Sequence, residues 1–147
     1  DAVWCVEFLE HVGRNFHHNY LPVFRKAAFI FVTFSTWGGW HHVEVHSHDW
    51  WITKMTTYGF VYDDAMSQKV RQIAKEERGT PSAAGKNYNA QHVYTKMLVF
   101  INPQVSARPE YARLMTQPGC SDGIGKNRKC GKGKEESIPP PEFDSLV

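Results

Sequence analysis

One apolar stretch constrains the fold more than any other part of the chain. Between Pro22 and Trp40 the only charged residues are Arg25 and Lys26. A helix from Pro22 to His42 would be about 30 Å long, which is the thickness of the hydrocarbon core of a bilayer. The sequence therefore predicts a single transmembrane helix, to which we assign residues 20–42.

Both ends of this stretch carry residues that are typical of a membrane interface. Aromatic rings favour the boundary between lipid and water, and long cationic side chains can reach the headgroups from within it. Basic residues are more frequent before the stretch than directly after it, so the positive-inside rule places the N-terminus in the matrix or cytoplasm. The predicted interface residues are Tyr20, Arg25, Lys26, Trp37 and Trp40.

The same stretch leaves a second interpretation open. Its uninterrupted apolar run, Ala27 to Trp40, has only 14 residues and contains Gly38 and Gly39. A run of this length also suits an element of a soluble core, either a buried helix or a β-hairpin that turns at the two glycines.

The rest of the chain divides by composition. Residues 1–19 have apolar residues at helical spacing and predict an amphipathic helix. Residues 43–116 predict an extramembrane segment with short helices, including one over 65–78 capped by Asp63 or Asp64, after an extended segment at 50–64. Residues 117–147 are rich in Gly, Lys and Pro and predict a flexible tail. The predicted fold class is mainly α, with one transmembrane helix after an amphipathic helix and an extended, partly irregular C-terminal extension.

The segment after the apolar stretch is the richest in candidate metal ligands. On a strand, the period of two would place His42, Glu44, His46 and His48 on one face, where they could bind zinc or another divalent ion. On a helix, His42 would pair with His46 and Glu44 with His48 instead. A hydrated collar of histidines beside a membrane is the alternative without a metal.

The three cysteines support fewer conclusions. Cys120 and Cys130 enclose nine residues, so a disulfide-closed loop, two free thiols and a metal site all remain open. Cys5 is expected to be a small buried residue.

Charge and motifs exclude several classes of function. A net charge of +2 with dispersed basic residues is too little to indicate a nucleic-acid partner. The sequence has no phosphate-binding glycine loop, no G-x-S-x-G elbow and no zincin helix. These absences predict a non-catalytic protein.

The region from Phe24 to Asp64 resembles cytochrome c oxidase subunit VIa. An aromatic and a basic residue open one apolar segment, a His/Glu-rich segment follows directly, and Thr53-Lys54 and the group Gly59 to Asp64 occupy places comparable to the ending of that family. The resemblance covers about 40 of the 147 residues.

The resemblance implies a non-catalytic accessory subunit of a mitochondrial respiratory complex, with cytochrome c oxidase as first choice and NADH dehydrogenase as second. The implied location is the mitochondrial inner membrane, with the N-terminus in the matrix and the C-terminal region in the intermembrane space. Other subunits and membrane lipid are the expected partners, and no cofactor is expected unless the histidines bind zinc. The competing hypothesis is a soluble histidine-rich metal-binding protein.

Overall fold

A computed structural model of the chain describes residues 1–82 and 84–111. Within these ranges the backbone forms four strands and five α-helices. The strands are β1 (Ala2–Cys5), β2 (Phe29–Val32), β3 (Val61–Tyr62) and β4 (Leu98–Ile101). The helices are α1 (His17–Phe24), α2 (His48–Thr57), α3 (Asp64–Glu76), α4 (Gln91–Lys96) and α5 (Pro103–Ser106). The prediction of a mainly α fold is therefore wrong, because helices and a sheet are combined.

The four strands form one sheet in the order β1-β2-β4-β3. β1 and β2 are parallel, with Ala2 opposite Phe29 and Cys5 opposite Val32. β4 lies between β2 and β3 and runs antiparallel to both. Parallel neighbours need a crossover connection, which α1 provides between β1 and β2. The carboxyl ends of β1 and β2 consequently lie at one edge of the sheet, beside the beginning of β4.

Helices cover both faces of this sheet. Successive residues of a strand point to opposite faces, and in β2 Ile30 joins one apolar cluster while Phe29 joins the other. The first cluster includes residues of α1 and α2, such as Leu21 and Trp51, and the second includes Met66 of α3. The sheet is thus the middle layer of an α/β fold.

The stretch predicted to cross a membrane is divided among three elements. Its first residues belong to α1, its middle is β2, and the residues after Val32 form a loop. β2 is largely buried from both sides, and such a strand has a continuous apolar sequence for reasons unrelated to lipid. Among the described residues, no helix is both long and apolar enough to span a bilayer. The predicted transmembrane helix, the inner-membrane location and its topology are therefore wrong.

The predicted interface residues also have other surroundings. Tyr20 is buried in the core, and the backbone carbonyl of half-buried Arg25 accepts a hydrogen bond from Asn102. Lys26 is exposed after α1, while Trp37 and Trp40 are 69% and 85% exposed in the loop after β2. These five residues therefore do not mark the two ends of a transmembrane helix.

Of three further predictions of secondary structure, one is correct and two are wrong. The predicted helix over 65–78 is confirmed as α3, and the side chain of Asp63 caps it by accepting a hydrogen bond from the Met66 N–H at 3.0 Å. Residues 1–19 form β1, two short 3-10 turns and the start of α1, so the predicted amphipathic helix is wrong. The predicted extended segment at 50–64 is mostly α2.

Candidate metal centre

A buried carboxylate lies in the first turn after β1. Glu10 belongs to the 3-10 turn Leu9–His11 and is 0% exposed. Within the described part of the chain, neither of its carboxylate oxygens has a hydrogen-bond partner. Burial raises the pKa of this carboxyl above its usual value, and the charge of Glu7 adds to this effect. The residue's own backbone N–H, His11 and His42 oppose it without cancelling it. An unpaired buried carboxylate is costly, so such a group is stabilised either by a proton or by a cation.

Two histidine side chains lie beside this carboxylate. His11 follows Glu10 in the turn, and His42 comes from the loop after β2. One ligand atom from each of the three residues lies within 4.8 Å of the other two. The two imidazole rings are nearly perpendicular, at 82°, with centroids 4.8 Å apart. A carboxylate and two imidazoles are therefore gathered around one point.

Backbone hydrogen bonds hold the loop of His42 against the turn of Glu10. The N–H groups of Val43 and Glu44 both donate to the Glu10 carbonyl oxygen, at 2.8 and 3.0 Å. Within the loop, the His42 N–H donates to the Gly39 carbonyl at 3.2 Å. These main-chain hydrogen bonds thus fix the backbone of His42 beside the turn of Glu10.

The tautomers of both histidines follow from their hydrogen bonds. His11 Nδ1 lies 3.1 Å from the His41 carbonyl oxygen, and His42 Nδ1 lies 3.0 Å from the Trp37 carbonyl oxygen. A carbonyl oxygen only accepts, so each Nδ1 carries the proton and donates it. Each Nε2 of a neutral ring then has a free lone pair. Metal-bound histidines commonly have this arrangement, with the second nitrogen donating to a carbonyl.

The donor set suits a divalent transition metal. Two imidazoles and one carboxylate are the ligands of reactive zinc sites and of the facial triad of non-haem iron. Three protein ligands leave coordination positions open for water or a substrate.

Two residues beside this cluster have unusual backbone conformations. Glu7 has a φ of 54° and His41 a φ of 57°, values that residues other than glycine rarely adopt. The N–H of Glu7 donates to the Thr33 hydroxyl at 2.9 Å, which ties the ends of β1 and β2 together. Such conformations cost about 1–3 kcal/mol each and concentrate at functional sites.

A cleft of about 390 Å³ opens at this edge of the sheet, between the ends of the parallel strands and α4. His42 contributes to its wall and so connects it with the three-residue cluster. In its lining, the Glu7 carboxylate lies 2.8 Å from His92 Nδ1. The lining residues are Glu7, Phe34, Ser35, Thr36, Trp37, His42, Gln91, His92, Thr95 and Lys96.

The structure does not bring the four predicted metal ligands together. Only His42 belongs to the cluster with Glu10. Glu44 accepts hydrogen bonds from Arg14, at 2.7 Å from the backbone and 3.0 Å from the side chain, and pairs with His46. His48 pairs with Asp49 at 3.1 Å.

Glu10 and His11 were not singled out from the sequence, although one signal was available. Both lie in the first turn after the strand β1, and polar residues beyond the carboxyl end of a parallel strand are often part of a site. This signal was missed because residues 1–19 were predicted to form a helix rather than a strand followed by a turn.

Cys5 is not one of the three residues that form this cluster. Cys5 is half-buried with a free thiol, and its burial raises the pKa to about 12, which favours the protonated thiol over the thiolate. Cys120 and Cys130 lie outside the described residues.

The chain was compared with protein-family models, curated proteins and solved structures, and none of them matches. The resemblance to subunit VIa, the role as a non-catalytic accessory subunit and the partner subunits consequently stay predictions.

Proposed function

We propose that this protein binds a divalent transition-metal ion through Glu10, His11 and His42 and uses it to act on a small molecule in the adjacent cleft. The observation that carries the proposal is the Glu10 carboxylate, which is fully buried and has no hydrogen-bond partner among the residues described. It faces two imidazoles whose Nδ1 atoms are engaged by backbone carbonyls. A metal ion would compensate the buried charge and use both free Nε2 atoms.

The number of ligands favours a reactive site over a structural one. Structural zinc sites usually have four protein ligands, whereas sites that act on a substrate have three and keep a position open. The metal would polarise an oxygen of the bound molecule or lower the pKa of a water ligand. The protein would then be a metal-dependent enzyme.

Glu7 adds negative charge to the same region. Its carboxylate lines the cleft together with His42, and its charge raises the pKa of Glu10. Neighbouring carboxylates repel each other and gain from a cation near both. This charge supports cation binding without requiring that Glu7 itself is a ligand.

Zinc titration of the metal-free protein tests the proposal. We expect one equivalent of Zn²⁺ to bind, and His11→Ala and His42→Ala each to weaken binding by about 100-fold or more, because loss of even an outer-shell partner costs about 10–100-fold. Isothermal titration calorimetry measures both stoichiometry and affinity. In the Co²⁺-loaded protein, d–d absorption bands would report coordination by imidazole.

His18→Ala is the matched control, since His18 is an exposed residue of α1 away from the cluster. It should bind zinc like the wild type. Equal affinities of the wild type, His11→Ala and His42→Ala, with all variants folded by circular dichroism, would contradict the proposed site.

A further inference from the structure

Lys96 brings a cation into the cleft at the end of α4. Its Nζ donates a hydrogen bond to the Thr36 hydroxyl at 3.1 Å and lies 5.4 Å from the centroid of the Phe34 ring. In residues 1–82 and 84–111, no carboxylate lies within 4.0 Å of this ammonium group. Its charge is therefore available to a ligand.

Among the described residues, the other charged groups of the cleft do not neutralise the Lys96 ammonium group. The Glu7 carboxylate is already paired with His92 at 2.8 Å, on the side of the cleft formed by the end of β1. Lys96 lies instead beside the loop that follows β2, where Thr36 supplies a hydroxyl group. A lysine and a hydroxyl together form a suitable environment for an oxyanion.

The size and walls of the cleft suit a small organic molecule. Its volume of about 390 Å³ is within the range of roughly 300–1,000 Å³ that is usual for ligand sites. Trp37 lines it with a largely exposed ring, which offers an apolar surface to the body of a ligand. Trp37 thus provides contact area, while Lys96 provides orientation.

We propose that the cleft binds a small molecule that carries a carboxylate or phosphate group, with this oxyanion held by Lys96 and Thr36. The part that concerns the metal rests on the proposed function: His42 belongs to both sites, so a second oxygen of the ligand can coordinate the metal ion. The substrate class is then a small compound with two oxygen-donor groups, of which one is anionic.

Binding of malonate, of inorganic phosphate and of the neutral analogue malonamide tests this proposal. NMR titration of the metal-free protein should show that the two anions bind and that malonamide does not. Lys96→Met should weaken anion binding by about tenfold or more, because it removes a charge-assisted hydrogen bond. Lys96→Arg keeps the charge and should restore most of the affinity. Of the two anions, the tighter binder indicates whether the natural ligand carries a carboxylate or a phosphate.

Lys86→Met is the matched control, because Lys86 is an exposed residue of a turn outside the cleft. It should bind the anions like the wild type. Equal affinities of wild type and Lys96→Met, or binding of malonamide as tightly as malonate, would overturn the proposal.

The same titrations in the presence of Zn²⁺ separate the two proposals. Tighter malonate binding in the zinc-loaded wild type, but not in His42→Ala, would support a ligand that bridges Lys96 and the metal. Anion binding that depends on Lys96 in a protein that fails to bind zinc would refute the metal site and leave the oxyanion site supported. Zinc binding without any effect of Lys96→Met would refute only the oxyanion site.

Discussion

Glu10 and Glu44 are two buried glutamates whose surroundings differ in almost every respect. They are 0% and 4% exposed, and the Glu44 N–H donates to the Glu10 carbonyl at 3.0 Å. The Glu44 carboxylate accepts hydrogen bonds from Arg14 and pairs with His46, whereas the Glu10 carboxylate has no such partner within the part of the chain that is described. The Glu44 carboxylate is thus part of a hydrogen-bonded polar cluster. The Glu10 carboxylate oxygens accept no hydrogen bond from another described residue.

The pKa values of the two groups express this difference. Burial acts to raise the pKa of both carboxyls. At Glu44 the hydrogen bonds from Arg14 and His46 outweigh burial and lower the pKa to about 2. At Glu10 burial dominates and the pKa is raised. Burial alone therefore does not distinguish the two carboxylates, whereas their hydrogen bonding does.

Replacing Glu10 by Gln should produce the largest effect and separate the two glutamates most clearly. We expect zinc affinity to fall by about 100-fold or more, which equals about 2.7 kcal/mol, because a charged ligand is lost. The metal-free variant should be at least as stable as the wild type at pH 8, since a buried charge without a partner has been removed. Calorimetry measures the first quantity and urea unfolding the second. A large loss of stability in metal-free Glu10→Gln would show that this carboxylate is structural after all.

Glu44→Gln should have the opposite pattern. Because Glu44 accepts charge-assisted hydrogen bonds, we expect a loss of about 2 kcal/mol in the free energy of unfolding at pH 7, with little change in zinc affinity. The folded-state pKa of about 2 lies below the ordinary 4.5, so the contribution of Glu44 is complete above pH 4.5 and is lost as the pH falls from 4.5 towards 2. In that window the wild type should lose stability more steeply than the variant. Parallel pH profiles from urea unfolding would contradict this role.

Gly39→Ala should have a smaller effect that tests how precisely His42 is positioned. A Cβ at Gly39 would lie 2.9 Å from the His42 ring, so the ring must shift away from its place beside Glu10. We expect zinc affinity to fall by about tenfold, or about 1.4 kcal/mol. Gly38→Ala is the matched control, since a Cβ there meets nothing within 4 Å. Equal zinc affinities of the two variants would mean that the metal does not use His42 in this position.

The parts of the fold that were predicted correctly depend on local signals. Helix α3 was recognised because Asp63 caps it and because its apolar residues have helical spacing, two features contained within one segment. β2 was misinterpreted because a strand covered on both faces has the same uninterrupted apolar sequence as a membrane helix. Its neighbours in the sheet, which decide the matter, come from distant parts of the chain.

Of the three residues of the candidate site, the sequence predicted only one. His42 was named as a ligand, but with neighbours that a regular strand would provide. No strand forms at residues 42–48, where a loop leads into α2 and Ser47 caps this helix by accepting a hydrogen bond from the Trp50 N–H at 3.2 Å. Glu10 and His42 are brought together by parallel pairing of β1 with β2 and by the loop contacts that follow it. No pattern within a short window contains that information.

The central place of β4 in the sheet has a consequence for the order of folding. β2 pairs on one side with β1, which comes shortly before it, and on the other side with β4, where Phe29 lies opposite Ile101. β3 also has to wait for β4, because it pairs with no other strand that is described. Contacts between residues so distant in sequence require the closure of a long loop, and this slows the rate-limiting step of folding. During synthesis on the ribosome, β2 and β3 therefore emerge with unpaired edges, and the sheet is completed only when the last of its four strands inserts between them.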